Sequence, residues 1–360
     1  MGDVLNKAQV KISCRQLDKE AEFFIELGFK LQQVFPADNP RLMVLAAYGL
    51  VIRIEKGLPV NDLTVILPNN TSQVLQSLFS PSGVAVQFQN KKHAKVGFPE
   101  HVESLVSQFD AAESWVTGRA GMLYRDLIPS RLAGAMIASN IMIPEGGPVP
   151  DHVHYHRIQF QLIFCTKGWV KVVYEDQGEP FILRAGDCVT QPPGIRHQVL
   201  EASDGLEVVE IGMPAEHMTT LDYQMQLPTG KNLPERMYQD NGHNGQKFCY
   251  HQQSDASWQH CLDSGLLRSE TRVAADSGGL AAVNVIKVGE PSNANKLSIQ
   301  HQSTLHFYYV MAGQVTYQQA GQEGIGLNHR DSFVVPRDQL IELRHFSDDF
   351  QCIEFKWLGA

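Results

Sequence analysis

The chain has 360 residues, 43% of them apolar and 19% charged, an ordinary globular balance long enough for two or three domains with their own cores. A formal charge of −9 without any Lys/Arg-rich run argues against nucleic acid as the main partner, because phosphate binding needs a concentrated basic face. No stretch approaches the roughly 18 apolar residues of a membrane helix, and Met1–Lys7 carries neither a signal core nor, with Asn6, a myristoylation pattern, so no membrane partner and a cytoplasmic location are expected.

In chain order, Gln9–Ser13 alternates as a strand, Asp18–Leu27 reads as a short amphipathic helix closed by Gly28, and Leu42–Ile54 is strand-like, a β-α-β-β beginning. The run from Ala21 to Phe29 resembles the helix and turn of the glyoxalase/bleomycin-resistance (vicinal oxygen chelate) module. Metal-binding members of that family place His or Glu on facing strands, whereas Val10–Ser13 offers no ligand; a structural or dimerising role is therefore expected for residues 1–108. The six cysteines are widely scattered without a CxxC, which predicts buried, reduced thiols.

From about residue 112 the chain repeats itself. Trp115 precedes Arg125 as Trp258 precedes Arg268, Gly168–Val172 lines up with Gly313–Tyr317, and Asp187…Pro192 with Asp331…Pro336. Short alternating strands punctuated by Gly, Pro and Asp predict antiparallel jelly-roll barrels, so the fold class expected is mainly β: two tandem barrels after a small α/β module. The expected boundaries are 112–216 for the first barrel, 217–254 for a linker rich in Pro, Gly, Asn and Gln, and 255–360 for the second barrel.

The segment Gly186–His197 fits the pattern GxxxxxPxGxxH, in which Pro and Gly end one strand with a tight turn and the next strand begins with an inward ligand. It resembles the second motif of the cupins, with Glu201 where that family usually has Asn. Upstream, Asp151–His156 resembles the first cupin motif. Alternation puts His152, His154 and His156 on one face, but the first and last stand about 13 Å apart on a regular strand, so one ion takes an adjacent pair. Counting from Gly146 pairs His152 and His154 with Gln159; counting back from Gly168 pairs His154 and His156 with Gln161. The repeat favours Gln161, because His301, His306 and Gly313 have the spacing of His156, Gln161 and Gly168, while a bulge would restore His152 and Gln159.

This resemblance implies a bicupin holding one divalent transition-metal ion among His152, His154, His156, Gln161 and His197. Fe(II) is favoured, and Mn, Ni and Zn are compatible with neutral nitrogen and oxygen donors. Asp338 and Ile341 replace the Gly and His of the second copy's motif, so the second barrel is expected to be degenerate. Tyr155 and Arg196 are the candidate catalytic or substrate-contacting residues, with Gln159, Gln198 and Trp169 beside them; Arg196 would receive a carboxylate. Either Glu207 or Glu210, on the closing strand, is a candidate acid or base. The expected function is a metal-dependent enzyme on a small oxygen-rich organic molecule, dioxygenase-type by preference. The alternatives are a non-oxidative isomerase or lyase on a keto or sugar acid and a non-catalytic small-molecule binder. A monomer and a homodimer through the N-terminal module are both compatible with an acidic chain of this kind.

Overall fold

The computed structural model describes residues 7–58, 64–69, 76–79, 85–90, 97–111, 115–239, 245–261, 264–289 and 296–359. The N-terminal part contains β1 (Gln9–Cys14), α1 (Leu17–Glu26), β2 (Lys30–Phe35), β3 (Leu42–Ala47), β4 (Leu50–Lys56), β5 (Thr64–Asn69), β6 (Leu78–Phe79) and β7 (Ala85–Asn90). Next come β8 (Leu105–Ser107), β9 (Val116–Thr117), β10 (Leu123–Asp126), β11 (Ile137–Ile143), β12 (Gly147–Pro148), β13 (His154–Arg157), β14 (Phe160–Lys167) and β15 (Trp169–Tyr174). They are followed by β16 (Phe181–Arg184), β17 (Cys188–Thr190), β18 (His197–Ala202), β19 (Leu206–Met213), β20 (Met218–Leu221) and β21 (Cys249–His251). The C-terminal part contains β22 (Trp258–His260), β23 (Leu266–Glu270), α2 (Val273–Asp276), β24 (Ala281–Val288), β25 (Lys296–Ile299) and β26 (Leu305–Ala312). It ends with β27 (Gln314–Gln319), β28 (Ile325–Asn328), β29 (Ser332–Pro336), β30 (Ile341–Arg344) and β31 (Gln351–Trp357). Among the described residues, no helix is long and apolar enough to cross a membrane.

Contacts divide the chain into two units. The first comprises Met1–Val96, His152–Arg157 and Glu216–Gln226. Its strands follow the order β13-β20-β2-β3-β4-β1-β5-β7-β6, with β1 parallel to β4 and antiparallel to β5. Helix α1 covers this sheet because Leu17 and Ala21, one turn apart, share a face and pack with Phe29, Leu45, Ile52 and Ile54, while Asp18 and Glu20 in its first turn complement the helix dipole. Gly28 ends it at φ +92°, where a Cβ would stand 2.6 Å from the Tyr48 hydroxyl.

The second unit comprises Gly97–Asp151, Ile158–Ala215 and Leu227–Ala360. Within it, strands β21-β17-β14-β19-β11-β10-β9 form one sheet, and β16-β15-β18, with β12 on β18, supply the facing strands of the first barrel. The second barrel sets β22-β23-β24-β31-β26-β29-β8 against β25-β30-β27-β28. Alternation sorts each strand between two cores. Phe160, Leu162 and Phe164 of β14 join Leu305, Phe307 and Tyr309 of β26 and Ile353, Phe355 and Trp357 of β31 in the apolar layer shared by the two barrels. The intervening positions line the barrel interiors, with Val170, Val172, Tyr174 and Val208 in the first and Tyr308, Val310, Val315 and Leu343 in the second.

Two local devices recur in both barrels, as the repeat in the sequence predicts. Gly168 (φ +74°) and Gly313 (φ +69°) turn the chain so tightly that a Cβ at either would lie 2.3 Å from a serine hydroxyl, that of Ser203 or Ser347. Each serine oxygen accepts the next backbone N–H, from Trp169 or Gln314. The cysteines Cys14, Cys165, Cys188, Cys249 and Cys352 are free and buried, and Cys261 is free and half-buried.

Candidate metal centre in the first barrel

Strand β13 begins at His154, so alternation holds from there on. His154 and His156 are buried, and Tyr155 between them is half-buried on the opposite face. His197 opens β18 after the turn at Gly194 (φ +75°) and is also buried. These three histidines each bring a ring nitrogen within 4.8 Å of the others.

Their orientation is set by what their other nitrogens do. Nδ1 of His154 lies 2.8 Å from the His152 carbonyl, Nδ1 of His197 lies 3.0 Å from the Ile195 carbonyl, and Nδ1 of His156 lies 3.0 Å from the Thr219 hydroxyl. A nitrogen bonded to a carbonyl must carry the proton, which leaves the lone pair of a neutral imidazole on Nε2. Burial pushes His197 down to about 4, although the Ile195 carbonyl and Asp151 oppose the shift, so its ring is neutral near pH 7. Its ring also stacks on Tyr174, which accepts a hydrogen bond from Gln191 at 2.9 Å.

Gln161 faces the interior of the first barrel from β14. Its amide nitrogen donates to Glu210, and its Oε1 is buried without a hydrogen-bond partner. A buried carbonyl oxygen left without a donor is costly, and it is the atom through which an amide ligates a cation. Glu210 therefore faces inward, whereas Glu207, of the opposite parity on β19, is buried on the other face and held by both ends of the Arg330 guanidinium.

Other predicted residues fall elsewhere. His152 precedes β13, is exposed and sets its ring 5.2 Å from that of Tyr223. The Gln159 backbone bonds to Met213 and Gln246. Arg196 is part-exposed; its guanidinium bonds to the Gly194 carbonyl and lies 3.9 Å from Glu175. Trp169 is half-buried at the turn held by Ser203, and Gln198 donates to the Asp151 carbonyl.

Sequence reasoning overlooked three groups. Asp151, wholly buried, is ion-paired with Arg119, and its second oxygen accepts the Val199 N–H of β18 at 3.0 Å. Burial alone would lower the Arg119 pKa, but Asp151, Tyr124 and Glu210 outweigh it and hold the guanidinium charged; its field reaches His197. His217 places its ring 5.2 Å from that of His156. Asp151 was inside the histidine run without an assigned role, Arg119 belongs to no motif, and His217 starts the segment expected to be linker.

A family model described as "Cupin domain" matches residues 140–211. No curated protein matches the chain. Among solved structures it is similar to oxalate decarboxylase from Bacillus subtilis at pH 4.6, with a TM-score of 0.51 and 11% identity over 73% of this chain and 78% of that one. It is likewise similar to the oxalate decarboxylase formate complex of Lactobacillus farciminis, with a TM-score of 0.51 and 13% identity over 73% of this chain and 88% of that one. At these identities the likeness shows the fold: a mainly β chain of the cupin jelly-roll type.

Proposed function

We propose that the chain is a metal-dependent cupin enzyme that moves a proton on a small carboxylate-bearing molecule, a non-oxidative isomerase or lyase of a keto or sugar acid. The observation that carries this reading is the neutral donor set, three buried histidines oriented through Nδ1 together with the orphaned Oε1 of Gln161. His154, His156, His197 and Gln161 would hold one divalent ion, and Fe(II), Mn, Ni and Zn all suit such donors. When bound, that ion polarises a carbonyl or hydroxyl oxygen of the substrate. Arg119 is charge-paired with the buried Asp151, so an anionic substrate would be received through the charge of the bound ion itself. Glu210, positioned by the Gln161 amide, is the inward carboxylate able to take up or return a proton. Solved structures that the chain resembles in fold include enzymes named for a small carboxylate, which agrees with this substrate class.

The N-terminal part is assigned a non-catalytic, glyoxalase-like role. Its β1-α1-β2-β3-β4 succession supports the resemblance, and Glu55 of β4 is spent on ion pairs with Lys11 at 2.9 Å and Arg53 at 2.5 Å.

The test is turnover of a panel of keto and sugar acids by metal-reconstituted protein, with and without oxygen. The expected result is turnover that does not need oxygen, with Glu210→Gln lowering kcat about 100-fold while metal content is kept. Turnover that consumes oxygen would favour the dioxygenase-type reaction instead, and bound metal without any turnover would favour a binding protein.

A further inference from the structure

The second barrel carries its own buried polar cluster. His301 and His306 stack ring on ring at 3.6 Å with only 9° between their planes. Nε2 of His301 donates to the Val335 carbonyl at 2.9 Å. A chain of hydrogen bonds then runs from the Ser303 hydroxyl to Nε2 of His306 (2.9 Å), from Nδ1 of His306 to the Tyr308 hydroxyl (3.3 Å), and from that hydroxyl to Glu354 (2.7 Å). The Ser303 hydroxyl is shared between the two rings, lying 2.9 Å from Nε2 of His306 and 3.3 Å from Nδ1 of His301, so both nitrogens of His306 are engaged in hydrogen bonds. Ile341, where a last histidine would stand, is wholly buried in the apolar core of this barrel. A metal would have to break these bonds, so the cluster is a different kind of site.

Its charge balance points to a ligand. Glu354 is buried yet stays below the usual carboxylate range, because Lys356, Arg268, Asn284 and Tyr308 overcome the burial that would raise it. Asn284 reaches it at 2.6 Å, Lys356 at 3.2 Å and Arg268 at 3.3 Å. Two cations thus share one carboxylate, leaving a net positive charge inside the barrel. The Nε–H of Arg268 is buried with no acceptor. The side chains of Arg268 and Lys356 remain 33% and 21% exposed, so the cluster is open to a ligand from solvent.

We propose that the second barrel is a metal-free binding site for a small organic monocarboxylate, received by Arg268 and Lys356 with Glu354 holding both cations in place. One carboxylate neutralises the surplus charge, supplies the missing acceptor for the Arg268 Nε–H, and matches the planar fork of a guanidinium as a spherical anion does not. The site is independent of the first barrel's histidines.

The experiment is calorimetric titration of the chelator-treated full chain with formate, acetate and pyruvate at fixed ionic strength, with chloride as the spherical control. Saturable one-to-one binding of at least one carboxylate is expected, weakened about tenfold or more by Arg268→Met, weakened by Lys356→Gln, and unchanged in His197→Ala. Arg268→Lys keeps the charge beside Glu354 and loses the fork; it is expected to show the intact protein's thermal transition and weaker binding. Binding by none of the three anions, chloride binding equally well, full-strength binding by a folded Arg268 variant, or binding lost in His197→Ala would each overturn the proposal.

Discussion

Asp151 shows how much depends on a side chain with no place in any motif. Its carboxylate is wholly buried between Arg119 and the Val199 N–H, so removing it strands a buried guanidinium whose field reaches His197. Asp151→Ala is expected to destabilise the protein by about 3 kcal/mol, read from urea unfolding, and to loosen metal binding as well. A second prediction concerns protons. His306 is pushed down to about 3, mainly by burial and further by His301, from an unfolded value near 6.5. Its folded pKa is depressed, so the unfolded chain binds the extra proton; the stability it contributes is complete above about pH 6.5 and is lost as the pH falls toward 3. His306→Gln should therefore lose less stability than the intact protein between pH 7 and pH 5, and equal losses would contradict the assignment. At this scale the histidines were legible because Pro192, Gly194 and His197 form a frame. Alternation alone did not choose the pair, because extended to His152 it assumes a strand that begins only at His154; the spacing of the repeat is what favoured His154 and His156 with Gln161.

At the scale of elements, the repeat visible in the sequence corresponds to a shared clamp. Asp187 accepts the Arg184 N–H with one oxygen and the Gln253 N–H with the other, and Asp331 does the same with Asn328 and Phe109. Each clamp closes a turn and grips a segment that reaches it from elsewhere in the chain. β21, which precedes the second barrel, pairs with β17 of the first, and β8, which precedes the first barrel, pairs with β29 of the second. Such a reciprocal exchange is invisible in local patterning, because β8 and β21 are short and their partners are distant, and β21 falls in a segment whose composition reads as linker. Asp187→Ala and Asp331→Ala are each expected to cost about 2 kcal/mol by leaving a buried backbone donor unpaired. Urea unfolding followed by tryptophan fluorescence checks this, and a change within error for both would refute the clamp.

In the whole second unit, the two barrels share an apolar layer that includes Phe160, Phe355 and Trp357, and Arg330 of the second barrel reaches Glu207 of the first. Their jelly-roll character was readable from alternating strands and from the turn residues Gly168 and Gly313, since both signals are local. What separates the barrels chemically is also local: His197 against Ile341, and Gln161 with a free carbonyl oxygen against a His306 committed to Ser303 and Tyr308. The central claim is that the first barrel alone holds a metal. Elemental analysis of protein purified without chelator tests it most directly, comparing wild type with His154→Ala, His197→Ala, Gln161→Ala and His301→Ala. One ion per chain is expected in wild type and His301→Ala, almost none in His154→Ala and His197→Ala, and a reduced amount in Gln161→Ala. Two ions per chain in wild type, or full metal content in His197→Ala, would contradict it.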